Sequence, residues 1–271
     1  MGKLNRILSP LLRELNQNIR CARAVNPKGG HVVTLLNGGL GSIFVLLFTR
    51  KNEKRRRSNI IKMNRITEPF VIKMCEKFNI DESHGLKHSV RVSEIAHELM
   101  KSIPDITEEQ RHMAMMSAAL HDLCDHKYVD EEIGASLIKD WLCQNQLWKE
   151  DVADSLISII TTMSYSKLKK EVDLSGNPVF PDHGKWQISY EVARHADLLE
   201  SYVVARCVLY NKHIHPDWEE DAHWEKAREL FEERVFTYVK NGWITLPGAL
   251  ALVPSLEVEA RRCLDEHSMD W

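Results

Sequence analysis

His88, His121, Asp122 and Asp197 have the residue types and settings from which a divalent-ion site can be built. His88 lies four residues before Val92, and Val92, Ile95, Ala96 and Leu99 recur at i, i+3, i+4 and i+7, the inward face of a helix beginning near Gly85. The imidazole shares that face, so it is either a hydrogen-bonded core histidine or a ligand. His121 and Asp122 end an apolar run, Ala118-Ala119-Leu120. A buried helix that delivers two adjacent polar side chains must satisfy both, because an unpaired buried carboxylate is costly. Neighbours on a regular helix point about 100° apart, so the pair can reach one ion only where the helix loosens. Asp197 interrupts a face shared with Tyr190, Ala193 and Val204, and there it needs a metal or a cation; Arg194 is the nearby candidate for a plain ion pair. Two imidazoles and two carboxylates form a mixed nitrogen and oxygen donor set suited to Mn²⁺, Fe²⁺, Co²⁺, Ni²⁺ or Zn²⁺, with Mg²⁺ also allowed.

Other histidines surround these four. His84 is one turn before His88 on the same side, an i, i+4 pair that suggests a substrate contact or a support for the site. His126, His183 and His195 raise the alternative of a second ion, although their spacing favours a single one. His213 and His215 lie in a polar connection and read as a surface turn.

The elements that must position these residues are helical. Thr107 to Gln110 form a capping box, Thr-x-x-Gln, that opens a helix through Met113, Met116 and Leu120. Further helices are expected at about 66–79, 85–102, 130–146, 150–163, 186–212, 217–241 and 247–265, with a long irregular stretch from Glu171 to Gly184 around Pro178 and Pro181. Neither βαβ alternation nor a Gly-rich phosphate loop is present. The expected fold class is all-α, in a helical bundle.

The pattern of one His, then His-Asp, then a distant Asp resembles the HD superfamily of metal-dependent phosphohydrolases, and flanking words match one soluble branch of it. Ser83-His84-Gly85-Leu86-Lys87-His88-Ser89-Val90-Arg91-Val92 is similar to its S-H-x-x-x-H-x-x-R-V opening, and Ala118 to Tyr128, AALHDLCDHKY, to A-x-L-H-D-x-x-D-x-K-[YF]. Thr162 to Lys167 resembles I-x-x-x-S-[FY]-S, and the stretch from Arg194 to Glu200 resembles D-A-D-x-L-[DE]. The resemblance covers roughly residues 64–245. The resemblance implies an HD-domain bundle in which His88, His121, Asp122 and Asp197 hold a divalent cation that activates a water. It implies that Asp125 is the acid that orients or deprotonates that water, its alternative being a loop carboxylate. Lys127 and Arg91 are the candidate cations for a phosphate, and the implied substrate is a small-molecule phosphoester or phosphoanhydride, most plausibly a nucleotide. The rivals are an HD-type di-iron oxygenase, which needs more ligands, and a catalytically silent helical scaffold.

Charge divides the 271 residues unevenly. Residues 1–62 hold 13 Lys+Arg against 2 Asp+Glu, a balance of +11, which leaves 23 against 37, or −14, for residues 63–271. So acidic a body is a poor nucleic-acid partner, and an anionic substrate has to be met by a local cation. The basic segment reads as an extension, disordered or targeting, that precedes a hydrolase domain at 63–271. Within it, the stretch 31–57 combines moderately apolar residues with a basic run and is the one place where membrane contact is expected, while the Arg-rich start has the look of an organelle address. Six scattered cysteines without a CxxC pair suit reduced thiols in an intracellular, cytoplasmic protein; Cys124 reads as a small apolar filler.

Overall fold

The computed structural model describes residues 50–270. The first 49 residues, with the Arg-rich start and the apolar stretch 31–49, lie outside the described residues. Eleven α-helices follow one another: α1 Arg50–Phe78, α2 Leu86–Leu99, α3 Glu108–Leu120, α4 Glu131–Gln144, α5 Glu150–Thr162, α6 Tyr165–Leu168, α7 Gln187–Glu200, α8 Val204–Ile214, α9 Glu220–Glu233, α10 Pro247–Leu250 and α11 Val253–Glu266. The described residues form no sheet, only an isolated antiparallel bridge between Val172 and Pro178 in the irregular stretch. The described residues are all-α, as expected. No helix among the described residues is long and apolar enough to cross a membrane.

The central layer is α2, α3 and α7, each packed against the other two. Their sequences explain why. The face of α2 that carries His88, Val92, Ala96 and Leu99 is buried, and α3 is buried without interruption from Met113 to Leu120. Thr107 caps α3 as the sequence predicts: its Oγ1 accepts from the Gln110 amide at 3.1 Å while Gln110 Oε1 accepts from the Thr107 amide at 3.0 Å. α4 pairs with α5 and α8 with α9, and α11 packs on α8 and α9.

Several helices end where the periodic pattern does not. The first begins at Arg50, sixteen residues before the expected start, because the preceding Lys/Arg/Glu-rich run has good helix propensity; Pro69 lies inside it without ending it. The expected helix over 247–265 is two helices, since Pro254 at the start of α11 has no N–H to donate to the carbonyl four residues back. The helix expected over 217–241 stops at Glu233, and a 3₁₀ turn, Val235–Thr237, follows. The helix expected over 186–212 is broken at residues 201–203, where Val203 is extended (φ −79°, ψ 101°). That break positions the candidate site.

Candidate metal centre

His88 comes from the first turn of α2, and its side chain is fully buried. His121 and Asp122 follow α3 in a 3₁₀ turn, His121–Cys124, entered through Leu120 at φ −111°, ψ −6°. This is the loosening that two adjacent side chains need in order to converge. Asp197 is on α7 and meets them from the third side of the central layer.

Four side chains converge. His88 Nε2 lies 3.0 Å from Asp122 Oδ2, 3.3 Å from His121 Nε2 and 3.5 Å from Asp197 Oδ1. His121 Nε2 lies 3.3 Å from Asp122 Oδ1 and 3.4 Å from Asp197 Oδ1. The far side of each ring fixes its proton. His88 Nδ1 donates to Glu200 Oε2 at 2.9 Å, and His121 Nδ1 donates to the Ala118 carbonyl at 3.0 Å, so the neutral form of each ring presents its lone pair at Nε2. Asp122 Oδ2 and Asp197 Oδ1 are buried and accept no hydrogen bond. With both rings neutral, these acceptors face one another and repel unless a cation, a proton or a metal ion, sits among them. His88, His121 and Asp197 each bring a ligand atom within 4.8 Å of the others, and Asp122 completes the set through its contacts with both rings. Nitrogen and carboxylate donors in this number suit a divalent transition ion.

Electrostatics tell the same story. Burial pushes the Asp122 and Asp197 carboxyls up, but the flanking imidazoles, with Arg206 beside Asp197, outweigh it and hold both below the usual carboxylate range. Burial lowers His121, yet the same two carboxylates raise it to about 9. A proton on that ring relieves part of the acidic excess; a divalent ion relieves it at all four donors. Asp122 and Asp197 keep 13% and 19% of their side-chain surface, whereas His88 keeps none, so the centre opens on its carboxylate side.

Glu200 and Arg206 also belong to this centre; Glu200 fills the last position of the D-A-D-x-L-[DE] word, whereas the sequence reading did not mark Arg206. Glu200, three residues after Asp197 on the same helix face, is fully buried against His88. Arg206 Nη1 lies 3.6 Å from Asp197 Oδ1 and 3.2 Å from Glu200 Oε2, Nη2 lies 3.7 Å from Asp122 Oδ2, and Nε donates to the Ser83 carbonyl at 2.7 Å. In an unbroken helix Arg206 would stand about 14 Å along the axis from Asp197. The turn at 201–203 folds it back.

The other predicted residues lie around the four donors. Arg91 turns its Nε to Glu200 Oε1 at 3.3 Å rather than toward open space. His84 is buried; its ring approaches that of His88 (centroids 6.1 Å apart), its Nδ1 lies 2.7 Å from Ser83 Oγ and 2.8 Å from the Tyr128 hydroxyl, and burial pushes it down to about 4. Tyr128 donates to the Asp81 carboxylate in the same network. Lys127 Nζ lies 3.3 Å from His84 Nε2 and 3.2 Å from Asp125 Oδ2, over the ring of Tyr210. Asp125 therefore reaches His84 through Lys127, and no side-chain hydrogen bond or ion pair among the described residues joins it to the four donors. Arg194 pairs with Glu191 and the Trp243 carbonyl, not with Asp197. His195 is a core histidine: its Nδ1 meets the Glu191 carbonyl at 2.6 Å, and its Nε2 accepts from the Thr245 and Leu246 amides at 2.9 and 3.1 Å. His126 is exposed and pairs with Asp125, and His183 sits near Ser158 and Thr162. None of the three joins the four donors. Cys124 is buried, its thiol pushed up to about 12 by that burial, as befits a filler.

No family model matches the sequence, and no curated protein matches it. Among solved structures, the chain is similar to a crystal structure of a protein from Lactobacillus plantarum determined as a structural genomics target. The TM-score is 0.55 at 17% identity, and the match covers 76% of this chain and 95% of that one. At that identity the likeness is one of fold alone.

Proposed function

We propose that the chain is a metal-dependent phosphohydrolase that cleaves a phosphoester or phosphoanhydride, most plausibly of a nucleotide. The observation that carries this reading is the convergence of the His88, His121, Asp122 and Asp197 side chains at the open side of a buried helical layer. The resemblance of the flanking words to HD phosphohydrolases supports it. A divalent ion held by these four residues supplies Lewis acidity to a phosphoryl oxygen and acidity to a bound water. The remaining work belongs to side chains. Lys127 is the cation that meets the phosphate in an otherwise acidic body. Asp125 takes the proton of the attacking water at its carboxylate, and neutral His84 steadies Lys127 through Nε2.

The test is a panel of nucleotides and general phosphoesters incubated with Mn²⁺, Mg²⁺, Co²⁺ or Ni²⁺ and assayed for phosphate and pyrophosphate. Release of either, abolished by chelator and restored by one of these ions, is expected. Two irons per chain with oxygen-dependent turnover would instead establish the oxygenase reading, and no turnover with any ion would leave a scaffold.

A further inference from the structure

Glu200 is an acid buried completely, at the end of α7, where a carboxylate is costly unless it is paired. Each of its contacts is to a nitrogen: Oε2 lies 2.9 Å from His88 Nδ1 and 3.2 Å from Arg206 Nη1, and Oε1 lies 3.3 Å from Arg91 Nε. The fold thus spends one buried acid and two arginines at a place that faces the back of a single imidazole. That ring has two neutral tautomers of similar energy in water, and only the one with its proton on Nδ1 presents a lone pair at Nε2.

We infer that Glu200 is a positioning residue for the centre, fixing the Nδ1–H tautomer of His88 so that Nε2 is free to ligate, while Arg91 and Arg206 hold its carboxylate in place. The inference rests on the metal-centre reading for its purpose, but the tautomer itself is a property of the metal-free chain. An outer carboxylate that orients a ligating histidine is a general device of metal sites, and its loss costs about 10- to 100-fold in metal affinity. Here it also explains the broken helix. Residues 201–203 turn α8 back so that Arg206 reaches Glu200, Asp197 and Asp122 together, and Ser83, next to His84, anchors the guanidinium through its carbonyl. Ion-pair anchoring alone would be the bland role of Glu200, and it predicts nothing about a histidine proton.

The experiment uses the full chain, ¹⁵N-labelled, with wild type, Glu200→Gln and Glu200→Asp compared. Long-range ¹H–¹⁵N spectra of the metal-free protein at mildly alkaline pH report the His88 tautomer, and titration with Co²⁺ alone, followed by its visible absorption, reports affinity. In wild type His88 should be in the Nδ1–H form. Aspartate keeps the charge for both arginines but falls short of His88 by one methylene, so Glu200→Asp should fold, show a mixture containing the Nε2–H form, and bind Co²⁺ about 10- to 100-fold more weakly. Glu200→Gln should do the same or more, and if it fails to fold, the aspartate variant decides. A wild-type His88 in the Nε2–H form, or a Glu200→Asp variant with unchanged tautomer and unchanged Co²⁺ affinity, overturns the inference. If wild type binds no Co²⁺, the metal-centre reading fails, and the tautomer comparison alone still decides what Glu200 does.

Discussion

Gly134 lies in the first turn of α4, directly against the turn that carries His121 and Asp122. A Cβ at this position would stand 2.8 Å from Cys124 Cα, 2.8 Å from the Leu123 carbonyl oxygen and 2.9 Å from Cys124 Cβ. Carbon contacts settle near 3.5–4.0 Å, so Gly134→Ala requires a separation of roughly 0.6 Å or more, and two of the three obstacles are backbone atoms that cannot rotate away. Helix propensity alone would make the substitution stabilising by about 1 kcal/mol. Overpacking costs about 1–3 kcal/mol, which turns the sign and leaves a net loss of about 0–2 kcal/mol. The larger effect should fall on the site. Leu123 and Cys124 follow Asp122 in the same 3₁₀ turn, so the displacement is passed to two ligands whose distances to an ion must hold to about 0.2 Å. Urea unfolding together with Co²⁺ or Mn²⁺ titration should show a small loss of stability and a fall in metal affinity of about tenfold or more. A variant that unfolds at higher urea than wild type and binds metal equally well would refute the reasoning.

Asp122→Ala should remove bound metal and metal-dependent hydrolysis while circular dichroism shows the helices retained; full activity would mean that the four donors are misassigned. Asp125→Asn should keep its metal and its KM yet lose about 10²- to 10⁴-fold in kcat, as for a missing proton acceptor, whereas unchanged kcat would reduce Asp125 to an anchor for Lys127. Because Asp122 and Asp197 raise His121 to about 9 despite its burial, its ring holds a proton at neutral pH that must leave before Nε2 can ligate. Metal affinity should therefore fall about tenfold per pH unit below that value, with close to one proton released per ion in calorimetry. Burial and Arg194 lower His195 to about 4, so below the ordinary value of about 6.5 the unfolded chain takes up a proton that the folded chain refuses. Metal-free protein should be fully stabilised by this group above pH 6.5 and lose at most about 3 kcal/mol as pH falls from there to about 4. His195→Gln, which can still accept from the Thr245 amide, should flatten that slope in urea unfolding.

What was legible in the sequence is what helical period and adjacency encode. The spacing of Val92, Ile95, Ala96 and Leu99 places His88 inward, and the buried His121-Asp122 pair requires a loosened helix end, which the 3₁₀ turn supplies. The capping box at Thr107 marks the start of α3 because its signal is purely local. What escaped depends on partners distant in the chain. Arg206 shows no periodic relation to Asp197, since three non-helical residues intervene, and a lone arginine on α8 gives no hint that it turns back. Gly134 looks like an indifferent helix glycine until the backbone it abuts is known. Arg91 reads as a cation for phosphate because the buried acid it faces, Glu200, is more than a hundred residues further on.

The donors of the centre are spread along the chain, with His88 on α2, His121 and Asp122 after α3, and Asp197 on α7. An ion shared among them would therefore be a cross-link closing a loop of roughly 110 residues, a length at which a covalent bridge would be worth about 4–5 kcal/mol in chain entropy. Such a link is reversible, and its strength follows the free concentration of the ion. Starvation for metal would silence the centre and at the same time loosen the central layer that builds it, exposing the protein to proteolysis when it cannot turn over. Persistence of the folded chain would thus report the supply of ion as directly as turnover does.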